Sequence, residues 1–114
     1  MTTIEDVRRQ RTALHKETTQ KSIVFLKEIG NYYEQTRPSK IEHIFVFETE
    51  MLINDLYVKS LGEPSSHALT APLLEALGQI GSLAISVQNK TFGTDYVTTA
   101  KQLGRTLIRI SRMR

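Results

Sequence analysis

Apolar residues recur every three or four positions through most of this chain, and this spacing restricts the fold more than any other feature. The pattern is clearest near the C-terminus, where successive apolar residues are four, three, four and three positions apart. They are Tyr96, Ala100, Leu103, Leu107 and Ile110. Residues at these steps share one face of an α-helix. The sequence therefore predicts an amphipathic C-terminal helix that packs on a core through this face.

The first of three further predicted helices covers residues 3–35, with Thr2 and Glu5 as a capping box at its start. Its apolar positions are sparse in the first half and dense from about residue 18 onward. We therefore expect residues 1–17 to form an exposed helical arm that precedes the packed part. Pro38 ends the helix, because proline disfavours helical geometry at the residue before it.

The second predicted helix begins at a capping box of Ser39 and Glu42 and runs to about Leu61, before Gly62 and Pro64. We expect it to bury one wide apolar face. The residues of this face are Ile41, Ile44, Phe45, Leu52 and Leu56, with Phe47, Met51 and Val58 widening it. The apolar run 44–47 also suits a strand, but the three- and four-residue spacing that continues beyond it favours a helix.

The third predicted helix begins at one of three hydroxyl residues and ends near Asn89, with Pro72 in its first turn. The three are Ser65, Ser66 and Thr70. Its apolar stripe consists of Leu73, Leu77, Ile80, Ala84 and Val87. Gly78, Gly81 and Ser82 weaken the helix by propensity, so we expect a neighbouring helix to approach closely there.

A turn at 89–93 leads to the C-terminal helix, which Thr94 or Asp95 is expected to cap. Short connections and one apolar face per helix predict a single all-α domain over residues 1–114, an antiparallel up-and-down four-helix bundle. The chain has no cysteine and no apolar run longer than four residues. These features predict a soluble, cytoplasmic protein without disulfides or a membrane span.

Basic residues follow the C-terminal helix at one per turn, beside its apolar stripe. They are Lys101, Arg105, Arg109 and Arg112, followed by Arg114, and no acidic residue occurs after Asp95. Guanidinium groups bind phosphate through paired donors, so this row predicts weak, salt-sensitive contacts with a nucleic-acid backbone. Arg8, Arg9 and Arg11 are predicted secondary contacts. The alternative is a solvated helix face, favoured by cations near a helix C-terminus.

No catalytic or metal-binding pattern accompanies this row. His15, His43 and His67 lack partners at ligand spacing, and Glu48 and Asp55 are two helical turns apart, too distant to share a proton. The spacing of Arg9 and His15 resembles that of HEPN-type helical nucleases, but it lies at the wrong end of the chain. We therefore expect a non-enzymatic protein with no cofactor and no metal.

The closing hairpin carries a family resemblance, in residues 83–87, in Tyr96 and Ala100, and in 103–108. A weaker likeness extends through residues 37–62. These segments are similar to the small four-helix-bundle proteins, namely ribosomal-RNA intervening-sequence proteins and the accessory variability proteins of diversity-generating retroelements. The chain departs from the retroelement members where Ile108 and Arg109 replace a usual Gly-Trp.

The resemblance implies a basic homo-oligomer that binds nucleic acid and assists a reverse transcriptase. It also implies barrel-like pentamers, in which the acidic second helix and the basic fourth helix could meet across subunits.

The leading hypothesis is thus a nucleic-acid-binding accessory protein. The alternative is a protein–protein adaptor, such as an immunity protein, an anti-activator or a secretion chaperone. In the adaptor, the basic row docks an acidic partner or the N-terminal arm folds on one. A weaker alternative is a relaxosome accessory protein, from a likeness at 80–83.

Overall fold

The structure, a computed structural model, describes residues 3–4, 19–35 and 41–113, and of residues 19–24, 65 and 66 only the backbone. The elements are α1 (Thr19–Gln35), α2 (His43–Gly62), a short 3₁₀ helix (Pro64–Leu69), α3 (Thr70–Asn89) and α4 (Thr94–Ser111). No strand occurs within these ranges. The predicted all-α four-helix bundle is therefore confirmed.

The C-terminal helix occupies the middle of the packing order. Helix α1 packs chiefly on α4, α4 also packs on α3, and α3 packs on α2, whereas α1 and α2 touch only slightly. The predicted stripe of α4, from Tyr96 to Ile110, is buried at every position. Because α4 joins α1 to α3, its buried stripe holds most of the bundle together.

The described part of α1 covers Thr19–Gln35, so the predicted start of the packed segment near residue 18 stays a prediction. Its residues Leu26, Ile29 and Tyr33 are fully buried. Ile4 is partly buried and packs against the core. The Thr2–Glu5 capping box and most of the predicted arm lie outside the described residues, so the arm stays a prediction.

The start of α2 corrects the sequence-based prediction. The helix begins at His43, not at a Ser39–Glu42 capping box, and Glu42 is an extended N-cap (φ −73°, ψ 134°) without a side-chain capping bond. Ile41 just before it is buried in the core. Ile41 and Glu42, which the prediction placed inside the helix, therefore precede it.

The buried face of α2 also differs from the predicted one. Phe45, Leu52 and Leu56 are buried as expected, but Ile44 of the predicted face and the three side chains predicted to widen it are exposed. The exposed residues are Ile44, Phe47, Met51 and Val58, and the positions buried in their place are Val46, Thr49, Ile53 and Ser60. Helix α2 is apolar on two sides, and only one of them packs on the other described helices.

The close helix approach predicted at Gly78 and Gly81 occurs elsewhere. A Cβ at Gly78 would have no described heavy atom within 4 Å, and one at Gly81 would meet only the Glu50 carboxylate at 3.9 Å. The close approach joins α1 to α4 instead. A Cβ at Gly104 would lie 2.6 Å from the carbonyl oxygen of Gly30, and the reverse distance is also 2.6 Å.

The helix ends follow simple local chemistry. Helix α3 begins at Thr70, one of the three predicted starts, with Pro72 in its first turn. Helix α4 begins at Thr94, but its N-cap is Gly93 rather than Thr94 or Asp95. Between them Lys90 adopts the left-handed conformation (φ 56°) and caps α3. Glycine is the residue that usually takes this conformation at a helix end, so a lysine at this position does not predict a left-handed cap.

A small polar network ties α1 to α2 inside the core. The Tyr33 hydroxyl donates to Thr49 Oγ1 at 2.9 Å, and Thr49 donates to the carbonyl oxygen of Phe45 at 2.7 Å. Burial raises the pKa of Tyr33 well above its ordinary value, since ionisation would place a charge in the core. The network therefore has a structural role.

Candidate nucleic-acid interface

The predicted basic row lies on the outer face of α4. Lys101, Arg105, Arg109 and Arg112 are all exposed, while the apolar stripe on the same helix is buried. The spacing of four, four and three positions aligns the four cations along the helix surface. Arg114 and the secondary contacts Arg8, Arg9 and Arg11 lie outside the described residues.

Two of the four cations already contact carboxylates of neighbouring helices. Arg109 Nη2 donates to Glu75 Oε2 on α3 at 2.6 Å. Arg105 Nε lies 3.7 Å from Glu34 Oε1 on α1. Among the described residues, the row therefore has one paired carboxylate on α1 and one on α3.

These ion pairs reduce the positive potential along the row, but both arginine side chains remain accessible to a ligand. The Arg105 side chain is 68% exposed and that of Arg109 is 57% exposed. Ion pairs in such solvated positions contribute about 0–1 kcal/mol. A guanidinium has five donors, so each arginine can bind a phosphate oxygen while it contacts a carboxylate.

Lys101 and Arg112 form no ion pair with any described residue. Arg112 follows the last turn of α4, where its backbone N–H donates to the carbonyl oxygen of Arg109 at 3.1 Å. A cation is favourable there because it faces the negative end of the helix dipole. This local effect is enough to explain Arg112, whereas Lys101 lies in mid-helix and has no such explanation.

Sequence reasoning identified the cations but not their acidic neighbours. Glu75 is 34 positions from Arg109 in the chain, and Glu34 lies on the first described helix. The C-terminal segment has no acidic residue after Asp95, but the folded surface around its cations does include carboxylates from other helices. Only the packing of α1 and α3 on α4 brings the carboxylates to the row.

Apart from the basic row, the structure has a concave surface near the start of α2. It has a volume of about 630 Å³, and its walls include Ile44, Phe47, Val87 and Phe92. Lys90 and His43 also line it. The sequence analysis did not identify this groove, because it had placed Ile44 and Phe47 in the core.

The remaining chemical candidates form no site in the described part of the chain. No group of three histidine, aspartate or glutamate side chains there could hold a metal ion. The His67 ring nitrogen Nε2 lies 3.3 Å from the carbonyl oxygen of Leu61. The Arg9 and His15 pair lies outside the described residues.

Comparison with known proteins gives no relative from which a function could be transferred. No protein-family model matches the chain, and no curated protein or solved structure is significantly similar to it.

Proposed function

We propose that this protein is a non-catalytic binding module that contacts the phosphate backbone of a nucleic acid through α4. The observation that supports this proposal is the exposure of four cations along one face of α4, at about one per turn. Two are unpaired within the described residues and two contact carboxylates in solvated positions. The side chains proposed to bind phosphate are Lys101, Arg105, Arg109 and Arg112, with Arg114, Arg8, Arg9 and Arg11 as further contacts.

The binding would be weak and largely independent of base sequence. No aromatic side chain lies within the row, so the cations would read the charge and spacing of phosphates rather than the bases. Each neutralised phosphate releases counterions, so four contacts on duplex DNA imply a slope of log K against log salt near −4. An accessory role beside a reverse transcriptase, in an oligomer such as a pentamer, is the more specific form of this proposal.

A titration of labelled duplex DNA and single-stranded RNA at several salt concentrations tests the proposal. We expect Arg105→Ala combined with Arg109→Ala to weaken binding and reduce the salt slope by about two. Lys27→Ala combined with Lys90→Asn is the matched control, because it removes two exposed cations on other elements. Asparagine tolerates the left-handed conformation of Lys90.

Two results would contradict nucleic-acid binding. One is an affinity that does not change with salt. The other is an Arg105→Ala and Arg109→Ala variant that binds no more weakly than the control variant Lys27→Ala and Lys90→Asn.

A protein adaptor is the second candidate, and the ion pairs of α4 favour it. Arg105 and Arg109 already form ion pairs with the carboxylates of Glu34 and Glu75. An acidic partner protein could therefore dock on the same row. Recovery of a stoichiometric acidic protein from the native host in the presence of nucleases, lost in the double arginine variant, would favour the adaptor.

A further inference from the structure

Helix α2 lies at the edge of the bundle and keeps a narrow apolar stripe on its outer side. It packs on α3 and on the 3₁₀ helix, and it touches α1 only slightly. Opposite the packed side, residues at steps of three and four form a stripe along the whole helix. This outer stripe consists of Ile44, Phe47, Met51, Asn54, Val58 and Leu61. Its five apolar side chains are 37–58% exposed.

The spacing of the outer stripe is that of a coiled-coil seam. Ile44, Met51 and Val58 are seven residues apart, and each is followed by another stripe residue three positions later. This is the a and d pattern of a heptad repeat, in which a second helix inserts its side chains between those of the first. A helix that packs on its own core needs only one apolar face. The outer stripe therefore has the geometry to receive another helix over a length of about 25 Å.

Carboxylates flank the outer stripe on both sides. In the heptad, Glu48 and Asp55 take one flanking position (e), and Glu50 takes the other (g). Glu50 and Asp55 are partly exposed and form no ion pair with any described residue. Residues at e and g contact the flanks of a partner helix, and their charges decide which helix is accepted. The acidic flanks of α2 therefore favour a helix with lysine or arginine at its own flanking positions.

We propose that the outer stripe of α2 docks an amphipathic helix of a partner protein, one with an apolar seam of heptad spacing and basic residues on its flanks. Burial of the two apolar seams supplies the affinity, and the acidic flanks supply the choice of partner. Asn54 is the only polar residue of the outer stripe. A single polar residue within an apolar seam favours the register in which it meets a polar partner.

A second copy of this chain fits the outer stripe poorly. Two α2 helices would bring acidic flanks against acidic flanks, and like charges in such positions repel. The basic residues of α4 do not supply the occupant, because the apolar stripe of that helix is buried in the bundle. The charge on the flanks therefore indicates a different protein.

Helix α3 also exposes apolar side chains, but they do not indicate an occupant. Among the described residues, the stretch His67–Asn89 is long and apolar enough to cross a membrane by length and composition alone, although a packed core helix passes the same test. Its exposed residues Leu74 and Ile85 have no charged residue between them other than Glu75. The outer side of α3 thus lacks the flanking charges that define a partner for α2.

Two synthetic three-heptad peptides test the docking on the full chain. Both have isoleucine at a and leucine at d, and they differ only in lysine or glutamate at e and g. Fluorescence anisotropy, with labelled peptide kept dilute enough to stay monomeric, measures their binding. We expect the lysine peptide to bind at least about tenfold more tightly than the glutamate peptide.

Met51→Glu places a charge in the middle of the outer stripe and should weaken binding of the lysine peptide by at least about tenfold. The helical circular dichroism should be unchanged, because Met51 is 48% exposed. Gln102→Glu, at an exposed position of α4, is the matched control and should bind the lysine peptide as the unmodified protein does.

Charge reversal tests the flanks separately from the seam. Glu50→Lys combined with Asp55→Lys should invert the preference, so that the glutamate peptide binds more tightly than the lysine peptide. Failure of both peptides to bind, or a preference that charge reversal leaves unchanged, would overturn the proposal. So would a dimer of the unmodified protein that Met51→Glu dissociates, since the occupant would then be a second copy. None of these measurements depends on the proposed phosphate contacts of α4.

Discussion

Gly30 and Gly104 set the distance between α1 and α4. At each of them a methyl group would come within 2.6 Å of the other's carbonyl oxygen, and at Gly104 it would also lie 2.8 Å from the Glu34 nitrogen. Both obstacles are backbone atoms, which cannot move aside as the end of a flexible side chain can. The two glycines are therefore a packing requirement of the bundle and not turn residues.

Gly104→Ala should lower the free energy of unfolding by about 1–3 kcal/mol, because the added methyl forces α1 and α4 apart. Gly62→Ala is the control, since a Cβ at Gly62 would have no described heavy atom within 4 Å. Urea denaturation of both variants at one protein concentration measures the difference. Equal stability of the two variants would show that α1 and α4 are not in close contact.

Helix α4 combines a fully buried stripe with an exposed cationic face. The two faces contribute differently to the free energy of unfolding. Burial of the apolar stripe stabilises the bundle, whereas solvated ion pairs add little to its stability. Substitutions of the charged residues can therefore change binding without loss of the fold. The Arg109–Glu75 pair, at 2.6 Å, is the contact where this separation is easiest to measure.

Glu75→Gln should strengthen binding to duplex DNA several-fold at low salt, because it removes a carboxylate that repels phosphate and competes for Arg109. The free energy of unfolding should change by less than about 1 kcal/mol. Fluorescence anisotropy and urea denaturation measure the two quantities. Glu42→Gln, at an exposed carboxylate that makes no capping bond, should leave the affinity nearly unchanged. Equal effects of the two variants would count against phosphate contact at Arg109.

At the scale of the whole molecule, the polar and apolar surfaces lie on different sides. The basic face follows α4 between α1 and α3, and the uncovered apolar face follows α2 and the outer side of α3. Phosphate contacts and the exposed apolar side chains therefore involve different residues of the chain.

The sequence by itself determined the helical class, the end of α2, both ends of α3, the start of α4 and the buried face of α4. In α4 the apolar residues occupy one side only, so periodicity alone identifies the face that packs. The sequence also identified the cationic side of that helix, because both patterns are local to one segment.

Only the tertiary structure decided which side of α2 is buried, where two helices touch most closely, and which carboxylates meet the arginines. Helix α2 is apolar on two sides, so its neighbours and not its periodicity select between them. The Gly30–Gly104 contact and the Arg109–Glu75 ion pair join residues that are far apart in the chain. No local pattern specifies such pairs, because their distance depends on how whole helices pack.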